Sequence, residues 1–337
     1  METATAGLRD ALRELGPVSL VDTSISRSNN DKGRISAHKV QALIGMMRDL
    51  RRRQADVSHV PISQNVPGLM RDLAMLACLR EPIVGYLHGG AYAAILRGGG
   101  PRSWLLRRVL GHVSGIACLY EEQCDELRDV GIRRPMTAVG NAIADSWAAT
   151  SSSGERHDPF RVLYLGLISR AKGFDVLCAA VDGLRGVSVT AVGDWHSRDR
   201  NLKLGALSAD FTLPSNVSVC EPVEHSAIPR LLVEHDVLVL PSHSEGLPMT
   251  VLEAMSVGVP VIASRVGALS ELADGDHFTA LDAVDPNQLR QRLLEVSASY
   301  DRAIERARTA REFVRRRYSH ETIANRVRNL LRELDDV

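Results

Sequence analysis

The stretch from Asp236 to Ser264 reads DVLVLPSHSEGLPMTVLEAMSVGVPVIAS. Its opening apolar run, Val237–Pro241, is short and rich in branched side chains, the pattern of a strand buried on both faces. Gly246 permits an unusual backbone turn, and Pro248 suits the first turn of a helix, where its missing N–H costs nothing. The helix then extends to about Val257, Gly258 supplies a left-handed stop, and Pro260 opens the next strand, Pro260–Ser264. This is a strand, a loop, a helix and a second parallel strand. The free N–H groups near Leu247, Met249 and Thr250 carry the positive end of the helix dipole, so they form an anion site.

The same rhythm extends in both directions. Strands are expected near Arg161–Gly166, Ser188–Gly193 and Asn216–Cys220 in this half, and at Val18–Asp22, Pro82–His88, Ser114–Leu119 and Met136–Val139 in the first. Helical spacing marks Ser36–Arg53, Glu121–Val130 and the Arg-rich end from about Pro286 to Leu334. Ser151–Pro159 is polar and rich in breakers, as a linker is. The reading is α/β with two Rossmann-like domains: residues 1–150, residues 151–318, and a terminal helix over 319–337 that packs back toward the first. Two open parallel sheets joined this way set their carboxyl edges where a cleft can form, and ligands bind beyond such edges.

Composition excludes several classes. The chain has 337 residues with 41 basic and 41 acidic side chains, which argues against a dedicated nucleic-acid binder. Aromatics are 4%, too few for stacking platforms. No stretch approaches the length of an apolar membrane span and the start lacks a secretory pattern, so a cytosolic location is expected. Cys78, Cys118, Cys124, Cys178 and Cys220 include no CxxC pair and read as small buried thiols. No His, Asp or Glu spacing suggests a metal, and Asp274-Gly275-Asp276 reads as a turn.

The strand ending at Gly166 is followed by Leu167-Ile168-Ser169-Arg170-Ala171-Lys172-Gly173. Two cations beside a helix-opening glycine are well placed to meet phosphate. Glu245 and Glu253 flank the anion site of the Asp236–Ser264 stretch. A carboxylate there would repel phosphate but would accept hydrogen bonds from sugar hydroxyls. The combination points to a nucleotide sugar, with its pyrophosphate at the helix terminus and its two sugars on the two carboxylates.

The run Val237–Leu272, with its EGLP…EA signature, resembles the donor site of retaining GT-B glycosyltransferases, the large family that includes sucrose synthases and bacterial mannosyltransferases. The Lys172-Gly173 loop, Gly193-Asp194 and the terminal helix agree with it. The resemblance implies a GT-B fold of two Rossmann-like domains facing a cleft. It implies transfer of a sugar from a nucleoside diphosphate to a glycan or lipid-linked acceptor, with no cofactor beyond the donor and no metal. By the same resemblance Lys172 contacts the diphosphate, Glu245 a sugar hydroxyl and Glu253 the ribose, while the backbone from Gly246 through Leu247, Pro248 and Met249 to Thr250 holds sugar and phosphate. It also sets His88 in GYLHGGAY against the donor sugar and brings Gly33 near the phosphates.

Three features depart from the family. Leu167 stands where an arginine is usual, leaving Arg170 to reach the phosphate from another position. Asn29-Asn30-Asp31-Lys32-Gly33-Arg34 replaces a glycine pair, and Cys220-Glu221-Pro222 replaces a glycine beside the base. The alternatives are a nucleotide-sugar epimerase of the same architecture and a non-catalytic sugar-nucleotide-binding scaffold. Lys39–Arg53, KVQALIGMMRDLRRR, is apolar on one face and ends in three arginines. It could rest on anionic lipid or pack on a core.

Overall fold

A computed structural model describes residues 2–18, 45, 48, 55–144, 147, 150–195 and 211–335. Gly33 with its Asn29–Arg34 loop, the body of the expected Val18–Asp22 strand and most of Lys39–Arg53 lie outside the described residues. The chain falls into two compact units, Leu12–Gly140 with Ala324–Val337, and Met1–Ala11 with Asn141–Ile323.

In the first unit the described strands are β1 (Ser58–Pro61), β2 (Ile83–Tyr86), β3 (Gly115–Cys118) and β4 (Met136–Ala138). They form a parallel sheet in sequence order. Short strands of Ile, Val and Ala buried on both faces need helices above and below. These include α1 (Val66–Leu76), α2 (Tyr92–Arg97), α3 (Gly100–His112) and α4 (Glu121–Asp129). Leu69, Leu106, Val109, Ile116 and Leu127 are fully buried in the resulting core. β1 is not anticipated by the sequence, since its SHVP carries a histidine and a proline and only Val60 is buried.

The second unit has a six-stranded parallel sheet. In chain order its strands are β5 (Phe160–Leu165), β6 (Val187–Val192), β7 (Val217–Cys220), β8 (Val237–Leu240), β9 (Val261–Ser264) and β10 (Thr279–Leu281). Their spatial order is β10-β9-β8-β5-β6-β7. The chain therefore reverses direction across the sheet between β5 and β8, and the loops leaving these two neighbours mark the switch point where such sheets bind ligands. Helices α5 (Phe174–Val181), α6 (Met249–Val257) and α7 (Pro286–Ala298) cover the sheet, and α8 (Tyr300–Arg317) packs on α6. Ser151–Pro159 carries no regular element, and Ser152 N donates to Val257 O.

The final helix, α9 (His320–Asp335), sets Leu330 and Leu334 against Gly115 at the start of β3. Four of the five cysteines are buried, but Cys220 is exposed. It ends β7, the outer strand of its sheet, so burial fails there.

Candidate functional site

Two loops meet at the switch point, and backbone geometry fixes how. After β5, Gly166 is followed by a tight turn over Arg170–Lys172, whose Ser169 side chain accepts from Lys172 N. Gly173, at φ 69°, then starts α5. A Cβ on Gly173 would lie 1.9 Å from Pro241 O at the end of β8, so only glycine allows this approach. His243 N donates to Ala171 O at 3.0 Å, tying the two loops by backbone. On the other side, a Cβ on Gly193 would lie 1.8 Å from Gly166 O.

This contact brings Lys172 Nζ to 2.8 Å from both Glu245 oxygens. Lys172 is one-third exposed while Glu245 is 7% exposed, so the ammonium is the part of the pair open to solvent. Two residues separated by 73 positions thus form one charged group at the switch point. Arg170 is directed elsewhere: its Nε lies 3.3 Å from Asp175 Oδ2 and the side chain is 66% exposed.

The loop after β8 differs from expectation at two positions. Gly246 does not adopt a positive φ; the left-handed glycine here is Gly267, at φ 55°. Its missing side chain leaves room for the carbonyls of Glu245 and Gly246, which a Cβ would meet at 2.2 and 2.8 Å. Pro248 is the N-cap of α6, one position before the first helical turn, and supplies no side-chain cap. The leading amides of α6 therefore lack the usual side-chain acceptor and carry the helix dipole. Gly258, at φ 77°, ends the helix as expected.

Glu253 lies on α6 and is 2% exposed. A carboxylate so buried requires a partner, and His225 Nε2 lies 2.9 Å from Glu253 Oε1. The hydrogen bond that His225 donates to Glu253 raises the His225 pKa. The His225 ring also sits 5.1 Å from the ring of Trp147. Buried Asn141 donates to Leu247 O at 3.1 Å and so holds the loop before α6. Sequence reasoning missed both His225 and Asn141. They reach the site across 28 and 106 positions, and neither stands in a motif.

His88 belongs to the other unit, two residues beyond β2. Both its ring nitrogens are buried with no hydrogen-bond partner among the described residues, and the ring lies 4.8 Å from that of Tyr86. Burial pushes its pKa down to about 4, leaving a neutral imidazole at pH 7. Asp274-Gly275-Asp276 is a turn: Gly275 caps a short helix, Leu269–Asp274, and Asp276 N donates to Ala273 O. Among the described residues no group of His, Cys, Asp or Glu is arranged to hold a metal ion.

Residues 159–299, the sheet that carries these loops, match the family described as Glycosyl transferases group 1. Within the matched relatives, a D-inositol 3-phosphate glycosyltransferase of Mycobacteroides abscessus is 31% identical over 139 residues, 41% of this chain and 31% of that protein. The chain spans about half or less of the length of the first curated relatives it matches.

Among solved structures, sucrose-phosphate synthase from Thermosynechococcus elongatus superposes with a TM-score of 0.74 at 16% identity, covering 98% of this chain and 92% of that one. HepE of Anabaena, solved with UDP-glucose, gives 0.67 at 17% identity, covering 88% and 82%. The chain thus shares the GT-B fold of these structures, built from two parallel-sheet α/β units. No helix among the described residues is long and apolar enough to cross a membrane.

Proposed function

We propose that the chain is a retaining glycosyltransferase that moves a sugar from a nucleoside-diphosphate donor to a glycan or lipid-linked acceptor without a metal. The observation that carries this reading is the Lys172–Glu245 pair at the switch point, just before the uncapped N-terminus of α6. Cleavage of a sugar–diphosphate bond develops negative charge on the departing phosphate, and a fixed ammonium with helix-end amides lowers that barrier. In this proposal Lys172 and the backbone from Gly246 to Thr250 take the diphosphate, with Gly166 and Gly33 allowing its close approach. Glu245 accepts from the donor sugar, Glu253 from the ribose, and neutral His88 meets the sugar. Arg170 joins the phosphate site only after release from Asp175.

No carboxylate is assigned as nucleophile. The acceptor attacks on the face the phosphate leaves, and the leaving phosphate oxygen takes its proton. That HepE was solved with UDP-glucose supports a uridine donor as the first trial. The Lys39–Arg53 pattern is the membrane contact that the sequence suggests for a lipid-linked acceptor. A thermal-shift panel of nucleoside diphosphates and their sugars identifies the donor, because a ligand of the folded state raises the melting point. Product anomeric configuration then tests retention. Failure of every nucleotide to shift the melt, or an inverted product, would overturn the reading.

A further inference from the structure

Helix α3 presents a surface that the proposed transfer does not use. At 100° per residue, Leu105, Leu106, Val109 and Leu110 share one face, and all four are buried. Trp104 projects roughly opposite that face and is 61% exposed. Arg107 and Arg108 flank it and are exposed, and the Arg108 guanidinium carbon lies 5.9 Å from the Trp104 ring centroid. Arg107 donates to Val130 O, and Arg134 donates to Gly111 O at the end of α3, which adds another cation to the same ridge. Between Glu81 and Glu121 the sequence holds four arginines and no acid. Beyond Arg107, on α4, Asp125 is engaged by its own Arg128.

An indole held in solvent costs apolar exposure that its cation–π contact with Arg108 offsets only in part. It suits a phase boundary, where the ring enters the headgroup layer and cations meet anionic phosphates. Trp104, Arg107, Arg108 and Arg134 themselves offer no carboxylate to accept sugar hydroxyls, which disfavours a glycan. A two-fold contact with a second copy would set arginine against arginine. We propose that the outer face of α3, Trp104 with Arg107, Arg108 and Arg134, docks on an anionic lipid surface. The proposal deepens the lipid-linked-acceptor part of the reading above and rests on it only for its biological setting.

The test uses the full chain, sedimented without donor or acceptor with vesicles of phosphatidylcholine alone or with about a third phosphatidylglycerol. Binding is expected to the anionic vesicles at low salt, with release at high salt. Arg107→Glu with Arg108→Glu is expected to weaken it about thirtyfold or more, from roughly 1 kcal/mol per cation at such a surface. A Trp104→Phe variant, whose melting point reports its folding, is expected to lose the blue shift in tryptophan emission that vesicles induce in the wild type. Absence of wild-type binding would overturn the proposal. So would equal binding by the double variant, which would locate the contact elsewhere, at Lys39–Arg53 for instance. Self-association that Trp104→Ala abolishes, with no vesicle binding, would assign the face to a second copy. A nucleotide thermal shift on the same samples separates failure here from failure of the transfer reading.

Discussion

Lys172 Nζ holds both carboxylate oxygens of Glu245 at 2.8 Å, joining the loops that leave β5 and β8. The pair has two consequences that separate under mutation. Lys172→Ala is expected to lower turnover about a hundredfold or more, the scale of one lost electrostatic contact to a transition state. It also strands a carboxylate that is 7% exposed. The stability cost is about 1–2 kcal/mol, below that of a fully buried pair because the lysine is partly solvated. Adding Glu245→Gln should restore the melting point while activity stays low. Near-normal turnover of the single variant with a verified donor would remove Lys172 from the mechanism.

The His225–Glu253 pair sets a pH dependence of defined sign. His225 has a pKa above its unfolded value because Glu253 accepts its hydrogen bond. Its contribution to stability is therefore fully present below about pH 6.5 and is lost as pH rises through the raised value. Denaturation followed from about pH 6 to 9 should show wild type losing stability relative to His225→Gln; parallel curves would dismiss the pair as a titrating element. For function, Glu253→Ala should weaken nucleoside-diphosphate binding about tenfold or more, as expected for a lost hydrogen bond to a charged group. Unchanged affinity by calorimetry would end its ribose role.

Two left-handed glycines at opposite ends of α5 differ sharply in what they tolerate. Gly173 and Gly183 share a left-handed backbone, at φ 69° and 64°. A Cβ on Gly173 would strike Pro241 O, while one on Gly183 would meet nothing within 4 Å. Gly183→Ala should therefore cost about 1 kcal/mol, the backbone penalty alone. Gly173→Ala should cost more than about 3 kcal/mol, because two strand-end loops must separate. Equal melting points for the two variants would show that the loops part freely.

Much of the second unit was legible because its strands are short, apolar and punctuated. Val237–Leu240, Val261–Ser264 and the Gly258 stop follow from local chemistry alone. β10 was not legible: three residues, Thr279-Ala280-Leu281, at a sheet edge give too little pattern, and only Leu281 is buried. The loops showed which residue types could meet phosphate but not how they pair. Arg170 turns to Asp175, a neighbour five positions away, whereas Lys172 finds Glu245 only through the strand order. Gly246 attracted a conformational role that belongs to Gly267, because the loop is shaped by a segment from beyond the next strand. Asn141 and His225 are ordinary polar residues until the fold brings them to Leu247 and Glu253.

His88 carries the last prediction, because its burial opposes charge. Its pKa is about 4 and the cause is desolvation, with no acid to offset it. His59 in β1 of the same unit is pushed to about 4 for the same reason. A folded pKa depressed below the unfolded value near 6.5 leaves stability intact above that pH. As pH falls from 6.5 toward 4, the unfolded chain takes up protons that the folded unit refuses. At about pH 5 the penalty from His88 alone is about 2 kcal/mol relative to about pH 8. His88→Leu should remove that share, so that wild type loses more stability than the variant on acidification, while His59 still gives the variant some acid sensitivity. Melting curves of both proteins at the two pH values decide this. If the variant loses as much as wild type, the ring is hydrated in solution and its proposed contact with the donor sugar loses its dry setting.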